Sequence, residues 1–176
     1  MDFVAALRLV VEELERRGVP VALVGGLALH AYGVGRATFD VDVVTLRSAQ
    51  RELVAVLESR GYQTLHVSPG YSNHLHAEAA LGRIDAVYVD EGTAAKLFGS
   101  ARRREVLPGV SVLVPRPEHL IAMKVRAIAN DPRRRLQDLA DIQRLLTLPE
   151  VDRVEARGYF ARLGLEEWYD EIAETL

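Results

Sequence analysis

The sequence predicts an α+β fold, with a mixed α/β half followed by an all-helical half that forms a C-terminal bundle packed on the first. Two observations carry this. Short apolar, β-branched runs bounded by glycine turns are confined to the chain before Pro115, where they alternate with helical patterns. After Pro115, apolar residues recur only at helical spacing. No internal repeat or low-complexity linker interrupts this order, so the expected boundary lies between 1–115, the α/β core, and 116–176, the helical region.

Taken in order, Phe3, Leu7, Val10, Val11 and Leu14 place an amphipathic helix over 2–17, stopped at Gly18. Val19–Val24 reads as a buried strand, Gly25-Gly26 breaks it, and LALHAYG follows as a short helix. The alternating, β-branched stretch Thr38–Thr45 is a strand, and Ser48 caps a helix running to about Arg60. Tyr62–Val67, Asn73–Ala79 and Arg83–Val89 are strands joined by glycine-containing turns. A short helix is expected over Thr93–Gly99, then a hairpin of Arg103–Val106 and Val110–Val114 around Pro108-Gly109. Glu118–Ala129, Pro132–Leu146, Val151–Leu163 and Leu165–Leu176 read as helices, the second introduced by Asn130-Asp131-Pro132.

A chain of 176 residues, 49% apolar and 27% charged, can bury a core without covalent staples. It has no cysteine, which excludes disulfides and thiolate metal sites and makes a reducing cytoplasm the simplest compartment. The N-terminus reads as a helix rather than a signal peptide, and no apolar run is long enough to span a bilayer, so no membrane partner is expected. The net charge of −3 excludes a globally basic nucleic-acid binder. Positive charge is nonetheless clustered in Arg102–Arg104 and Arg133–Arg135, either as patches for a polyanion or as solvated faces.

The segment VGGLALHAYGVGRATFDVDVV, Val24 to Val44, carries the chemistry. Residues two apart on a strand share a face, so Asp40 and Asp42 project together while the intervening valines pack. Two adjacent carboxylates on a mostly buried strand repel each other and lose hydration. A divalent cation resolves both problems, and Mg²⁺ (or Mn²⁺) takes one or two carboxylates together with substrate phosphates. Gly25 and Gly26, where a strand enters a helix, let an anion approach the backbone. Asp85 lies within another apolar strand. If that strand neighbours Thr38–Thr45, Asp85 joins the pair, to hold a second metal or to accept the proton of an attacking hydroxyl.

Apolar-Gly-Gly, a spacer of about a dozen residues and Asp-apolar-Asp-apolar resembles the signature of the DNA polymerase beta-like nucleotidyltransferase superfamily, matched here by Val24-Gly25-Gly26 and Asp40-Val41-Asp42-Val43. Arg36-Ala37-Thr38 resembles the Arg-x-Thr that often precedes those aspartates. PEHLIAMKVRAIANDPRRRLQDLADIQRLL is similar to the helical motif of the abortive-infection-type (AbiEii-like) toxin branch, with Lys124, Asp138 and Asp141 in the motif positions. Gln137 stands where that branch usually has lysine, and Asn130 where arginine is common.

The resemblance, over roughly residues 20–146, implies a small mixed β-sheet flanked by helices, the nucleotidyltransferase fold. It implies transfer of a nucleoside monophosphate from an NTP, such as ATP, to a hydroxyl, with release of pyrophosphate. Asp40, Asp42 and Asp85 then hold the metal, and Asp85 activates the acceptor. Gly25 and Gly26 cradle the triphosphate, Lys124 and Arg36 reach its phosphates as cations, and Asp138 orients Lys124 or contacts the nucleotide. The implied acceptor is a tRNA 3′ end, a protein side chain or an aminoglycoside-type small molecule, and the implied partner is a cognate antitoxin protein. An inactive member of the fold, binding a nucleotide or a protein, is the alternative of a different class.

His74-x-His76 has strand spacing for a transition metal but no third ligand in sequence, which favours a structural role. Asp138 and Asp141 also stand at helical spacing from Arg134 and Arg135, and Trp168-Tyr169 reads as packing.

Overall fold

A computed structural model describes all of residues 1–176, which divide into two compact units, Met1–Pro115 and Arg116–Leu176. The fold is α+β. In the first unit, α1 (Phe3–Arg16) leads to β1 (Val21–Val24), which runs into α2 (Gly25–Ala28) and a 3-10 turn, Leu29–Tyr32. Then come β2 (Asp40–Leu46), α3 (Gln50–Ser59), β3 (Tyr62–Ser68), β4 (Tyr71–His76), β5 (Arg83–Val89), α4 (Glu91–Ser100), β6 (Arg102–Leu107) and β7 (Val110–Val114). The first five strands form one mixed sheet in the order β1-β2-β5-β4-β3, in which only β2 and β5 are parallel. Strands β6 and β7 form a separate hairpin, which meets β1 through β7.

The alternation in β2 and β5 builds the core. Val41 and Val43 face Ile84 and Ala86 across the parallel pair, and all four are buried. Helix α1 contributes Leu7, Val10 and Leu14 to the same core, and α3 contributes Leu53 and Leu57. Asp40, Asp42, Arg83 and Asp85 alternate with the buried residues and therefore share the opposite face of the sheet.

Several boundaries differ from the sequence reading. Ser48 does not cap a helix: it lies inside a 3-10 turn, Arg47–Ala49, and α3 begins at Gln50 without a side-chain cap. Strand β2 begins at Asp40, because the Thr38 hydroxyl donates to the Asp40 carboxylate (2.8 Å) and turns the chain before pairing starts. Strand β4 is Tyr71–His76 rather than Asn73–Ala79. Beyond His76 the chain folds back, with the Glu78 amide donating to His76 Nδ1 and the Gly82 amide to the Glu78 carbonyl. Pro132 opens a 3-10 turn, Pro132–Arg134, capped by the Asp131 side chain, and α6 starts only at Arg135.

His74 is fully buried on β4, with Nδ1 on the Thr64 hydroxyl (3.0 Å) and Nε2 on Ser72 (2.8 Å), and Ser72 meets the Tyr88 hydroxyl (2.6 Å). His76 Nε2 bonds the Arg60 carbonyl (3.1 Å). Both rings are thus committed to structure. Burial lowers the His74 pKa below its usual value. A histidine with a depressed folded pKa contributes stability that is present above its unfolded pKa, about 6.5. That contribution is lost as pH falls through the folded value. The thermal midpoint should therefore decline below about pH 6.5. In His74→Gln, melting across the same pH series should show less of that decline.

In the second unit, α5 (Pro117–Asn130), α6 (Arg135–Leu146), α7 (Arg153–Ala161) and α8 (Glu166–Ala173) bury Leu120, Ile121, Val125, Ile128, Ile142, Leu145 and Phe160. Asp152 caps α7, accepting from the Val154 and Glu155 amides. Tyr169 packs edge-on against Phe160 (5.6 Å between centroids), while Arg135 lies over the Trp168 ring (4.5 Å). No helix of the chain is long and apolar enough to cross a membrane.

Candidate active site

Register brings the first set of predicted residues together. Val24, the last residue of β1, pairs with Asp42, and Asp42 pairs with Asp85 on the parallel neighbour. Asp40 stands two residues before Asp42 on the same face. One oxygen from each of Asp40, Asp42 and Asp85 lies within 4.8 Å of the others, Asp85 being buried and the other two half-buried.

Gly25, next to Val24, has φ +66°, a conformation that disfavours any side chain, and a β-carbon there would collide with the Asp42 carboxylate. At Gly26 the equivalent space is taken by Thr38 Oγ1 (2.8 Å) and the Arg36 guanidinium (2.9 Å). The two glycines therefore let Asp42, Thr38 and Arg36 close against the turn from β1 into α2. Gly25→Ala should force Asp42 out of place while leaving the rest of the core intact. If the carboxylates hold a divalent cation, Mn²⁺ binding by the folded variant should fall by roughly tenfold or more.

Asp85 is gripped from two strands. Arg83, two residues earlier on β5, donates through Nε to Oδ1 (2.8 Å) and through a terminal nitrogen to Oδ2 (3.0 Å). The Tyr71 hydroxyl on β4 donates to Oδ2 (2.7 Å). Arg83 also donates to the Tyr71 oxygen (3.3 Å). Burial, helped by the bond to Asp85, pushes the Tyr71 hydroxyl up to about 12, so it remains a proton donor at neutral pH. The hydrogen bonds to Asp85 raise the Arg83 pKa further still.

Lys124, Asp138 and Asp141 form a second charge cluster, within the helical unit. Lys124 Nζ on α5 donates to Asp138 (2.9 Å) and Asp141 (2.6 Å) on α6, and all three side chains are nearly inaccessible. Arg134 adds a bond from Nε to Asp138 (3.1 Å). Asp141 thus pairs with Lys124 rather than with Arg135, which instead reaches Glu171 (3.8 Å) and Trp168.

A family model, the nucleotidyl transferase AbiEii toxin of type IV toxin–antitoxin systems, matches residues 9–169. The chain belongs to the AbiEii nucleotidyltransferase family. Among solved structures, the AbiEii-family chain is similar to the antibiotic-resistance factor ANT(2'')-Ia, with a TM-score of 0.61 and 18% identity over 99% of this chain and 92% of that one. The lincosamide antibiotic adenylyltransferase LnuA follows, with a TM-score of 0.59 and 16% identity over 81% and 96%. A nucleotidyltransferase-like protein from Paracoccidioides brasiliensis gives 0.58 and 15% over 96% and 92%. Likeness at this identity establishes the nucleotidyltransferase fold. Among curated proteins, none matches by sequence.

The AbiEii-family chain is therefore a nucleotidyltransferase, from a family of toxins whose system implies a cognate antitoxin. Its carboxylate cluster suits a divalent cation chemically. The donors are all hard oxygens, they converge, and Asp40 and Asp42 keep partial access to solvent. Sequence reasoning missed Tyr71 and Arg83. For Arg83 the signal was present as Arg-x-Asp on a strand, which puts both side chains on one face. For Tyr71 there was none, because its approach to Asp85 depends on how β4 pairs with β5.

Proposed function

We propose that this chain is a metal-dependent enzyme that moves a nucleoside monophosphate from an NTP, such as ATP, onto a hydroxyl of an RNA 3′ end. The convergence of Asp40, Asp42 and Asp85 beside Gly25 carries the metal-dependent part of this reading. A bound Mg²⁺ or Mn²⁺ supplies neutralisation of triphosphate charge, the dominant requirement of phosphoryl transfer. Asp40 and Asp42 would hold it, with the Asp85 carboxylate beside them. The Gly25-Gly26 turn, with Arg36 lying against it, lies beside the carboxylates and receives the phosphates.

The acceptor oxygen bonds to the α-phosphorus as the bond to the β-phosphate oxygen breaks and pyrophosphate leaves. Asp85 takes the acceptor proton. Its carboxylate has about four lone-pair sites, and three receive bonds from Arg83 and Tyr71. The site left can take a metal or a proton. Assignment of Lys124 and Asp138 to the nucleotide rests on the sequence resemblance.

Arg103 on β6 is paired with Glu15 (2.5 Å) and points away from its neighbour Arg102, so the preference for a polyanionic acceptor over a small molecule rests on the exposed Arg102 alone. The reducing cytoplasm, where RNA resides, is the compartment this reading requires. Each NTP, labelled at the α-phosphate, should be incubated with the protein and Mg²⁺ or Mn²⁺, and with tRNA, cell extract or an aminoglycoside. Label in the tRNA supports the reading. Label only in a protein band or in the aminoglycoside replaces the acceptor, and no label in any arm overturns the transfer itself.

A further inference from the structure

The carboxylate cluster has a cation of its own. Arg83 spans both oxygens of Asp85 with a two-pronged guanidinium fork, and Tyr71 closes the same carboxylate from the neighbouring strand. Such paired, charge-assisted bonds fix both the position and the plane of a carboxylate. The fork also puts a full positive charge beside the three carboxylates that converge within 4.8 Å. Two effects on function follow, and they have opposite signs. The fork geometry holds Asp85 still, which favours the reaction. The charge repels any divalent cation at the cluster, which weakens metal binding.

We propose that Arg83 is a positioning residue that locks Asp85 for transfer and, through its charge, holds the metal affinity of the cluster below what three carboxylates alone would give. Arg83 need touch neither the nucleotide nor the acceptor. Tyr71 shares the locking, since its hydroxyl bonds both Asp85 and Arg83, but it carries no charge. The inference rests on the proposed function, since it assumes that the cluster binds a divalent ion.

The test is Mn²⁺ titration of the whole protein, followed by the electron paramagnetic resonance signal of free Mn²⁺, alongside the rate of labelled-nucleotide transfer. The wild type and Asp40→Asn come first. If the wild type binds no Mn²⁺ that Asp40→Asn abolishes, the metal reading and this inference fail together. If it does bind, Arg83→Gln should bind Mn²⁺ several-fold to about tenfold more tightly, as loss of a unit charge a few ångströms away requires, while kcat falls. Arg83→Lys keeps the charge without the fork, so its Mn²⁺ affinity should stay within about twofold of wild type while kcat still falls. Tyr71→Phe should lower kcat and leave Mn²⁺ affinity unchanged. A side chain with a merely structural role would lower affinity and rate together. Unchanged or weaker Mn²⁺ binding in folded Arg83→Gln, or undiminished kcat in both Arg83 variants, overturns the inference and leaves the metal reading standing.

Discussion

Asp42→Asn should abolish nucleotide transfer, by roughly a thousandfold or more, without unfolding the protein. Asparagine has nearly the same shape, so it fits against Gly25, where the Asp42 carboxylate fills the space of the absent β-carbon. What changes is charge. Asp42 is the central member of the row, register-paired to Val24 on one side and Asp85 on the other. Its loss leaves Asp40 and Asp85 without the oxygen between them, and a neutral amide is a poor ligand for a hard cation. The thermal midpoint should stay within a few degrees of wild type, and Mn²⁺ binding and pyrophosphate release should both disappear. Calorimetry beside a pyrophosphate assay checks the two halves of this result.

Lys124→Met should be the most destabilising of the simple substitutions, by about 3–5 kcal/mol. Lys124 is the shared partner of Asp138 and Asp141, and the side chains of both aspartates are at most 3% exposed. Without the lysine, two carboxylates in a low-dielectric interior lose the cation they share, while Arg134 still reaches Asp138. Adding Asp138→Leu and Asp141→Leu should recover most of the loss, since an apolar replacement of a whole buried ion cluster is often neutral or stabilising. Scanning calorimetry of the single and triple variants measures this. The same pair separates stability from chemistry. If the folded triple variant still transfers nucleotide at the wild-type rate, Lys124 and Asp138 are structural. If it does not, their place in the reaction stands apart from their place in the core.

The local half of the site was legible in the chain. Strand period puts Asp40 and Asp42 on one face, and the short span from Gly26 to Asp40 favours pairing of β1 with β2. The presence of Asp85 on a third apolar strand was readable too. Its alignment with Asp42 was not, because a parallel pair with α3, β3 and β4 between its strands has no local determinant of register. The limits of β2 and β4 were missed for a different reason. Thr38 and Glu78 make hydrogen bonds that compete with strand pairing, and residue propensities do not register them. In the helical unit, spacing along one helix suggested arginine partners for both aspartates. Arg134 does reach Asp138 at i,i+4 (3.1 Å), but the buried cation shared by both aspartates, Lys124, comes from the preceding helix, a tertiary contact that spacing along one helix does not register.

The central claim is that Asp40, Asp42 and Asp85 act as one metal-dependent centre for nucleotide transfer. Pyrophosphate release tests it most directly, measured with an NTP and tRNA, with and without Mg²⁺, for wild type and Asp42→Asn. Release by the wild type that needs the cation, is removed by chelation and is absent from the folded variant is the expected result. Release that persists in Asp42→Asn, or that ignores the chelator, would contradict it.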